Sequence, residues 1–317
     1  MAQLEFPESK YARAFAPATV ANVACGFDVL GFAVENPGDE VIVTENNSYG
    51  LKVTSIIGDG GKLPIEANKN TATVAINAML NHLKADGGLS IQIKKMMPLG
   101  SGLGSSAASA AAALVATNEL LGNPLQKKEL VQFAMEAERI ACGAAHADNV
   151  APAIMGGFVL IRSYSPLDIV AIPAPASLYC SIVHPHIELR TEDARKVLKQ
   201  DISLKDAINQ WGNLAGLIAG LMRSDYELIG RSLKDVVAEP IRSLLIPGFD
   251  AVKQAALDNG VLGCSISGSG PSVFALSTSK ETANKAGQAM QKALHEIGLD
   301  SDLYVSKVNS KGAHVLK

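Results

Sequence analysis

The sequence predicts an α+β protein built of two domains. Predicted strands and helices mix along both halves of the chain, a pattern typical of α+β layers that pack side by side. The 317 residues suffice for one large or two ordinary domains. Pro166, Pro173 and Pro175 cluster near the middle, so residues 1–168 and 169–317 are predicted to be the two domains.

Hydrophobic periodicity predicts the individual elements. Residues 89–94 alternate apolar and polar side chains, as a half-buried strand does, whereas residues 71–83 repeat apolar side chains at helical steps. The first half then contains strands over 41–43, 51–57, 89–94 and 158–161, and helices over 71–83, from the glycine-rich segment to about 121, and over 125–140. The second half contains strands over 178–183, 261–266, 273–276 and 303–308, and helices from about 191, 204, 226 and 249 and over 281–297.

Composition excludes several classes of protein. The 28 Lys and Arg residues nearly balance the 31 Asp and Glu residues, so no basic excess indicates nucleic-acid binding. The most apolar window, residues 107–116, is about half the ~20 residues of a membrane span, and the first residues lack the pattern of a secretory signal. The cysteines stand far apart at Cys25, Cys142, Cys180 and Cys264, which favours reduced thiols in the cytoplasm.

The most informative feature is a glycine-rich segment, residues 98–106, between a predicted strand and a predicted helix. A helix N-terminus offers unpaired N–H donors and a partial positive charge. Gly100, Gly102 and Gly104 allow the backbone to approach an anion closely. The segment therefore has the features of a phosphate cradle, although a tight turn before a closely packed helix explains the same glycines equally well.

Three common nucleotide motifs do not match this segment. The dinucleotide fingerprint needs its third glycine one residue later. The chain's Gly61-Lys62 pair is followed by Leu63 and not by Ser or Thr, and the motifs that accompany a protein-kinase glycine loop are missing. Of Ser105 and Ser106, we expect one to cap the helix and the other to reach a phosphate or Mg²⁺.

Four segments of the chain resemble motifs of the GHMP kinases, a family of small-molecule kinases. Residues 98–108 resemble the family's phosphate loop, and residues 267–272 resemble its second glycine loop. Residues 16–31 resemble the substrate motif of the homoserine-phosphorylating branch, and residues 146–149 fit the same branch. The resemblance extends over about residues 12–308.

The resemblance implies a fold, a reaction and a setting. The fold is the two-domain GHMP kinase fold, with a nucleotide-binding domain first and a ferredoxin-like domain second. The reaction transfers the γ-phosphoryl group of ATP to the side-chain hydroxyl of L-homoserine, giving O-phospho-L-homoserine for threonine biosynthesis. Mg²⁺ is the implied cofactor, a homodimer the implied assembly, and the cytoplasm the implied location.

The resemblance also assigns residues to the nucleotide and the metal. Mg²⁺ takes hard oxygen ligands, few of them from protein, and the family pattern gives these as Ser106 and Glu138. Periodicity alone favours a solvated Glu138 paired with Arg139 or its neighbours. A simple helix N-cap explains Asn70 nearly as well as adenine contact does. The implied nucleotide-binding residues are Asn70, Pro98, Leu99, Gly100, Ser101, Gly102, Leu103, Gly104, Ser105 and Ser106.

A zwitterionic substrate needs a cation for its carboxylate and an anion for its ammonium group. By the family pattern, Arg195 and Arg242 bind the carboxylate, for which the arginine fork is suited, and Asp28 binds the ammonium. From the residues, Thr191 is better explained as an N-cap, and a structural role explains His146 as well as substrate contact does. The implied substrate-binding residues are Asn22, Asp28, His146, Thr191, Arg195 and Arg242.

Phosphoryl transfer depends on positioning and charge neutralisation more than on covalent chemistry. The resemblance gives Asn149, Glu138 and Arg195 as the catalytic residues and places Asn149 beside the reacting hydroxyl, in a short loop of small residues. Asparagine is no base at neutral pH, so our hypothesis is that no side chain takes the proton, which passes to the phosphate. Asp148, the neighbouring carboxylate, is the alternative base.

Two other functions stay open on the sequence. One is a kinase of the same family that phosphorylates mevalonate or a sugar. Such a substrate lacks the ammonium group that Asp28 would bind. A non-catalytic metabolite sensor on the same fold has no use for Glu138 and a complete glycine loop. An NAD-dependent oxidoreductase is disfavoured by the misplaced third glycine.

Overall fold

The structure is a computed structural model that describes residues 10–143 and 146–317, without the side chains of residues 140–142. The predictions for the first residues and for the Cys142 thiol therefore lie outside the described parts. The strands are β1 (Tyr11–Ala21), β2 (Leu30–Asn46), β3 (Gly50–Ile57), β4 (Gly88–Lys94), β5 (Phe158–Tyr164), β6 (Leu167–Ile172), β7 (Tyr179–Pro185), β8 (Gly263–Ile266), β9 (Val273–Ser277), β10 (Ser301–Lys307) and β11 (His314–Leu316). The helices are α1 (Thr71–Leu83), α2 (Ser105–Leu120), α3 (Lys127–Cys142), α4 (Ala147–Met155), α5 (Thr191–Lys196), α6 (Leu204–Arg223), α7 (Tyr226–Ser232), α8 (Glu239–Arg242), α9 (Phe249–Asp258) and α10 (Lys280–Glu296).

Within the described residues the strands form two sheets. The first runs β11-β1-β2-β4-β3, with β5 beside β2 and β6 beside β5. The second is antiparallel and runs β10-β7-β9-β8, and α9 and α10 pack on it. The α+β class is thus confirmed. The predicted boundary at 168/169 falls inside β6; its pairing with β5 favours a division after Ile172, and the boundary stays a prediction.

The first layer is organised around α2. Every residue of this helix from Ala107 to Leu120 is buried except Glu119, and the helix contacts α1, α3, α4 and β1. Its run of alanines permits this because small side chains let neighbouring backbones approach closely. The N-terminus of α2 is thereby fixed near the C-terminal end of β4, to which the glycine-rich segment joins it. Among the described residues, no helix is both long and apolar enough to cross a bilayer.

A buried ion pair anchors the first turn of α2. Lys95, directly after β4, pairs with Asp39 of β2, and both side chains are almost fully buried. The Lys95 ammonium also donates to the Ser105 carbonyl at 2.6 Å and to the Ser109 hydroxyl at 2.8 Å, which uses all three of its protons. Burial lowers the pKa of Lys95, and the charge of Asp39 opposes that shift. Sequence reasoning missed this cluster because Lys94 and Lys95 look alike in the sequence.

We expect the two adjacent lysines to differ sharply in their effect on stability. Lys95→Met leaves Asp39 buried without its partner, which lowers the free energy of unfolding by about 3–5 kcal/mol. Lys94→Met removes only a partly exposed contact with Glu40 at 3.8 Å, so its effect is below about 1 kcal/mol. Urea unfolding of both variants measures the difference, and equal losses would contradict the anchoring role of Lys95.

Candidate active site

A cleft of about 890 Å³ opens beside the N-terminus of α2. One wall comes from the glycine-rich segment and helices α2 to α4. The other comes from Asn22, Asp28, residues 188–192, Arg195, Arg242 and residues 268–269. All but two of the predicted site residues line it: Asn22, Asp28, Asn70, Leu99, Gly100, Ser101, Gly102, Gly104, Ser105, Ser106, Glu138, His146, Asn149, Thr191, Arg195 and Arg242. Pro98 and Leu103 do not, and the Leu103 side chain is fully buried in the core.

The glycine-rich segment takes the backbone conformation that its glycines permit. Gly100, Gly102 and Gly104 all have positive φ, between 64° and 76°. Gly104 itself occupies the N-cap position of α2 and no side chain caps the helix, so the prediction of a capping serine was wrong. Instead, the hydroxyls of Ser101 and Ser105 are buried without a hydrogen-bond partner among the described residues. Free N–H groups and spare hydroxyl donors at one helix end suit an anion.

The two glycine loops pack directly against each other. A Cβ atom at Gly102 would lie 2.5 Å from the Ser267 carbonyl oxygen and 2.7 Å from that of Gly270. The Ser267 hydroxyl donates to the Gly102 carbonyl at 2.7 Å, and the Ser272 amide donates to the Ser101 carbonyl at 3.3 Å. The second loop therefore fixes the first, and the two halves of the chain form one site.

Ser106 and Glu138 form a pair of hard oxygen groups beside the phosphate loop. The Ser106 hydroxyl donates to Glu138 Oε1 at 2.7 Å across the contact between α2 and α3. Glu138 is 7% exposed, and Arg139 pairs with Glu136 instead, so the solvated interpretation of Glu138 was wrong. The described residues contain no cluster of three His, Cys, Asp or Glu side chains that could hold a metal ion. A cation at this pair would complete its shell with phosphate oxygens and water, which is the usual arrangement for Mg²⁺.

The charged groups predicted for the zwitterion lie together on the other wall. Arg195 of α5 donates to both carboxylate oxygens of Asp28, at 2.7 and 3.0 Å. His146 Nδ1 lies 3.8 Å from Asp28 Oδ2, and burial of its ring lowers the pKa of His146. Arg242 donates to the carbonyls of Ala194 and Gly268, and burial together with the Arg195 charge lowers its pKa to about 10.

The loop that carries Asp28 is strained. Asn22, Val23, Ala24 and Asp28 have φ between 43° and 69°, a region that non-glycine residues rarely adopt. The Asn22 side chain stabilises the loop: its oxygen accepts from the Asp28 amide at 3.0 Å and its nitrogen donates to the Gly268 carbonyl at 2.8 Å. Strain of this kind persists where surrounding contacts hold it and is common at functional sites.

Of two N-cap interpretations, the structure contradicts one and confirms the other. Thr191 is the first residue of α5, whose N-cap is Arg190, and the Thr191 hydroxyl lies 3.2 Å from that of Ser269 inside the cleft. The N-cap interpretation of Thr191 was therefore wrong. Asn70, by contrast, caps α1 by accepting from the Ala72 amide at 3.1 Å, and it also lines the cleft.

The segment predicted as a short loop is the start of a helix. His146 is the N-cap of α4, and Asp148 and Asn149 lie in its first turn. Asn149 accepts a hydrogen bond from the Thr19 hydroxyl at 2.8 Å, and both side chains lie where a Cβ at Gly104 would stand. Asp148 is 3% exposed, and burial, reinforced by the Asp28 charge, raises its pKa to about 7.

Sequence reasoning missed Tyr164, whose side chain joins the loop that carries Asp28 to the first turn of α4. Its hydroxyl donates to the Asp28 carbonyl at 2.7 Å and accepts from the Ala147 amide at 3.3 Å. Burial raises the pKa of this phenol, with Asp148 as the next contribution. Tyr164 ends β5 in an ordinary strand pattern, and no local signal in the sequence could have identified it.

Family models match both halves of the chain. A model of the GHMP kinases N terminal domain covers residues 70–157, and a model of the GHMP kinases C terminal domain covers residues 217–296. These segments contain the phosphate loop and the second glycine loop. The fold and the site thus define a GHMP kinase.

Full-length relatives identify the branch. The homoserine kinase of Chlorobium phaeovibrioides is 60% identical over 97% of this chain and 100% of its own, and the chain belongs to the homoserine kinase family. The homoserine kinase of Xylella fastidiosa is 41% identical over 98% of this chain and 95% of its own. The crystal structure of homoserine kinase from Cytophaga hutchinsonii has a TM-score of 0.95 at 58% identity, covering 99% of this chain and 100% of that one.

More distant structures share the fold alone. The Lactococcus lactis galactokinase in complex with galactose has a TM-score of 0.70 at 15% identity, over 97% of this chain and 95% of that chain. The predicted recognition, fold and enzyme class are confirmed by these findings together.

We expect Asp148 to make the stability of the protein depend on pH. Its folded pKa of about 7 lies above the ordinary value of 3.8, so folding takes up a proton between these values. The contribution of Asp148 protonation to the free energy of unfolding is complete below the unfolded pKa of 3.8 and is lost as the pH rises through the folded pKa of about 7. Between pH 5 and pH 8 the wild type should lose roughly 2–3 kcal/mol more free energy of unfolding than Asp148→Asn.

Urea unfolding of both proteins at pH 5 and pH 8 measures this difference. Asp250→Asn, which changes an exposed carboxylate, serves as the control. Parallel pH dependences of the wild type and Asp148→Asn would show that Asp148 does not titrate in this range.

Proposed function

We propose that this chain phosphorylates the side-chain hydroxyl of L-homoserine with ATP and releases O-phospho-L-homoserine and ADP, the former on the route to threonine. The observation that carries the proposal is the Asp28–Arg195 ion pair in the same cleft as the phosphate loop. A pair of opposite charges matches the ammonium and carboxylate of an amino acid, which mevalonate and sugars do not have together.

The triphosphate would lie along residues 100–106. Its oxygens would accept from the free amides at the start of α2 and from the hydroxyls of Ser101 and Ser105. The adenine would lie towards Asn70 and the neighbouring residues Leu63 and Pro64, which line the same cleft. Binding through backbone amides explains why the chain needs no basic excess to hold a highly charged ligand.

Ser106 and Glu138 would hold Mg²⁺ together with the phosphates. The fit rests on the chemistry of the pair: two hard oxygens, 2.7 Å apart, beside the phosphate loop, with Glu138 buried and Ser106 partly exposed to the cleft. When bound, the ion neutralises charge on the phosphates during transfer. Glu138 and Ser106 would hold it, since their mutual hydrogen bond keeps both oxygens on the same side of the cleft.

Homoserine would exchange one ion pair for two. Its ammonium would replace Arg195 at Asp28, and its carboxylate would replace Asp28 at Arg195, with Arg242 as the second cation. The exchange avoids leaving either protein charge unpaired in a partly buried site, which would cost several kcal/mol. His146 and Thr191 would border the bound amino acid.

Asn149 would orient the reacting hydroxyl. Its side chain is fixed by Thr19 and lies against Gly104, at the junction of the phosphate loop and the substrate wall. An amide cannot accept the proton, so we propose that the proton passes to the transferred phosphate and that Asp148 supports the site without acting as a base. The homodimer and the cytoplasmic location stay predictions.

The substrate assignment predicts a clear ranking of phosphoryl acceptors. With ATP and Mg²⁺, L-homoserine should stimulate ADP release at least 100-fold more, by kcat/KM, than its 2-hydroxy analogue 2,4-dihydroxybutyrate, which has no ammonium group to replace Arg195 at Asp28. Mevalonate and galactose should be inactive, and excess EDTA should abolish turnover. No homoserine-stimulated ADP release would refute the proposed function.

Asp148→Asn tests the absence of a side-chain base. The variant keeps the size of the side chain and removes its proton acceptor, so kcat should stay within about tenfold of the wild type. Asn149→Ala, which removes the hydroxyl-orienting group, should lower kcat by about 100-fold or more. A loss of kcat by several orders of magnitude in Asp148→Asn with unchanged KM would make Asp148 the base.

A further inference from the structure

Phe27 lies behind the two arginines of the substrate wall. The Arg195 guanidinium carbon is 5.6 Å from the centroid of the Phe27 ring, and that of Arg242 is 5.0 Å away. Both distances fall within the range of a cation–π contact. Phe27 is half-buried and is not among the described residues that line the cleft, so its ring reaches the site through the arginines.

The two positively charged guanidinium groups lie close to one ring, so an attractive interaction must offset their mutual repulsion. They repel each other, as the lowering of the Arg242 pKa by Arg195 indicates. Asp28 compensates Arg195 in this structure, but in the proposed complex Asp28 pairs with the substrate's ammonium group instead. Both arginines contact the electron-rich ring of Phe27 in this structure. These contacts would persist after the substrate's ammonium group has replaced Arg195 at Asp28.

The backbone fixes the ring in place. The Gly26 amide donates to the Asn22 carbonyl at 2.7 Å, and the amides of Val29 and Leu30 donate back to the Gly26 carbonyl at 3.0 and 2.9 Å. A Cβ at Gly26 would lie 2.4 Å from Leu30 Cβ, so the turn is tight. Phe27 and Asp28 are therefore presented from one rigid turn, the ring towards the cations and the carboxylate towards Arg195.

We infer that Phe27 is a positioning residue that holds Arg195 and Arg242 together as a single receptor for the substrate's carboxylate. It acts through the arginines and sets the preference for substrates that carry a carboxylate next to the ammonium group. The inference rests on the proposed function and adds to it the group that organises the carboxylate site.

The test compares L-homoserine with 3-aminopropan-1-ol, the same molecule without the carboxylate. Phe27→Leu keeps an apolar side chain and removes the ring, so KM for homoserine should rise about tenfold while kcat and KM for ATP stay within twofold. The kcat/KM for 3-aminopropan-1-ol should not change, because that acceptor does not use the arginines. Phe27→Tyr restores an aromatic ring and should return KM for homoserine to within twofold of the wild type.

Phe249→Leu is the matched control. Its ring centroid lies 5.7 Å from Lys253 Nζ, and Phe249 does not line the cleft. The substitution should therefore leave every kinetic constant unchanged. Equal losses on both acceptors in Phe27→Leu, or failure of Phe27→Tyr to restore KM, would show a structural role only and overturn the inference. A wild-type enzyme that does not phosphorylate homoserine would instead refute the proposed function.

Discussion

The site depends on the contact between the two glycine loops. Gly102 has no space for a Cβ because the carbonyl oxygens of Ser267 and Gly270 lie against its Cα, and Ser267 bonds back to the Gly102 carbonyl. This contact joins the phosphate loop of the first half to the wall that carries Arg195 and Arg242. The glycines thus serve two purposes at once, since they free the backbone for an anion and let two backbones meet.

Charge in the cleft is balanced locally. Asp28 neutralises Arg195, and Arg242 is held by backbone carbonyls. A ligand with equal and opposite charges can enter such a site without adding net charge to the protein. The nearly neutral composition of the chain, which excluded nucleic acid, is therefore compatible with binding an amino acid, and a triphosphate held by backbone amides needs no basic excess either.

The sequence predicts the elements that have clear periodicity and misses those shaped by tertiary packing. Residues 71–83 are predicted as a helix with the same bounds as α1. The prediction succeeds because α1 buries only one face, so its apolar side chains recur at helical spacing. β1 is not predicted, since most of its later residues are buried and the alternation disappears. The helix α4 is missed because Pro152 and small polar residues obscure its pattern.

The site itself was predicted through motifs, and its geometry was not. The motifs bring Asp28 and Arg195 to one wall, but their bidentate pairing depends on residues 167 positions apart in the sequence. The same holds for Lys95, whose burial follows from Asp39, and for Tyr164, which bonds to the Asp28 backbone. Side-chain capping by one of Ser105 and Ser106, and by Thr191, was wrong because Gly104 and Arg190 take the cap positions.

A crystal structure with L-homoserine and a non-hydrolysable ATP analogue would show whether the substrate replaces the Asp28–Arg195 ion pair. In that complex we expect the Asp28–Arg195 ion pair to be broken, with the ammonium group on Asp28, the carboxylate on Arg195 and Arg242, and the triphosphate along residues 100–106. A complex in which Asp28 and Arg195 remain paired and homoserine binds elsewhere in the cleft would contradict it.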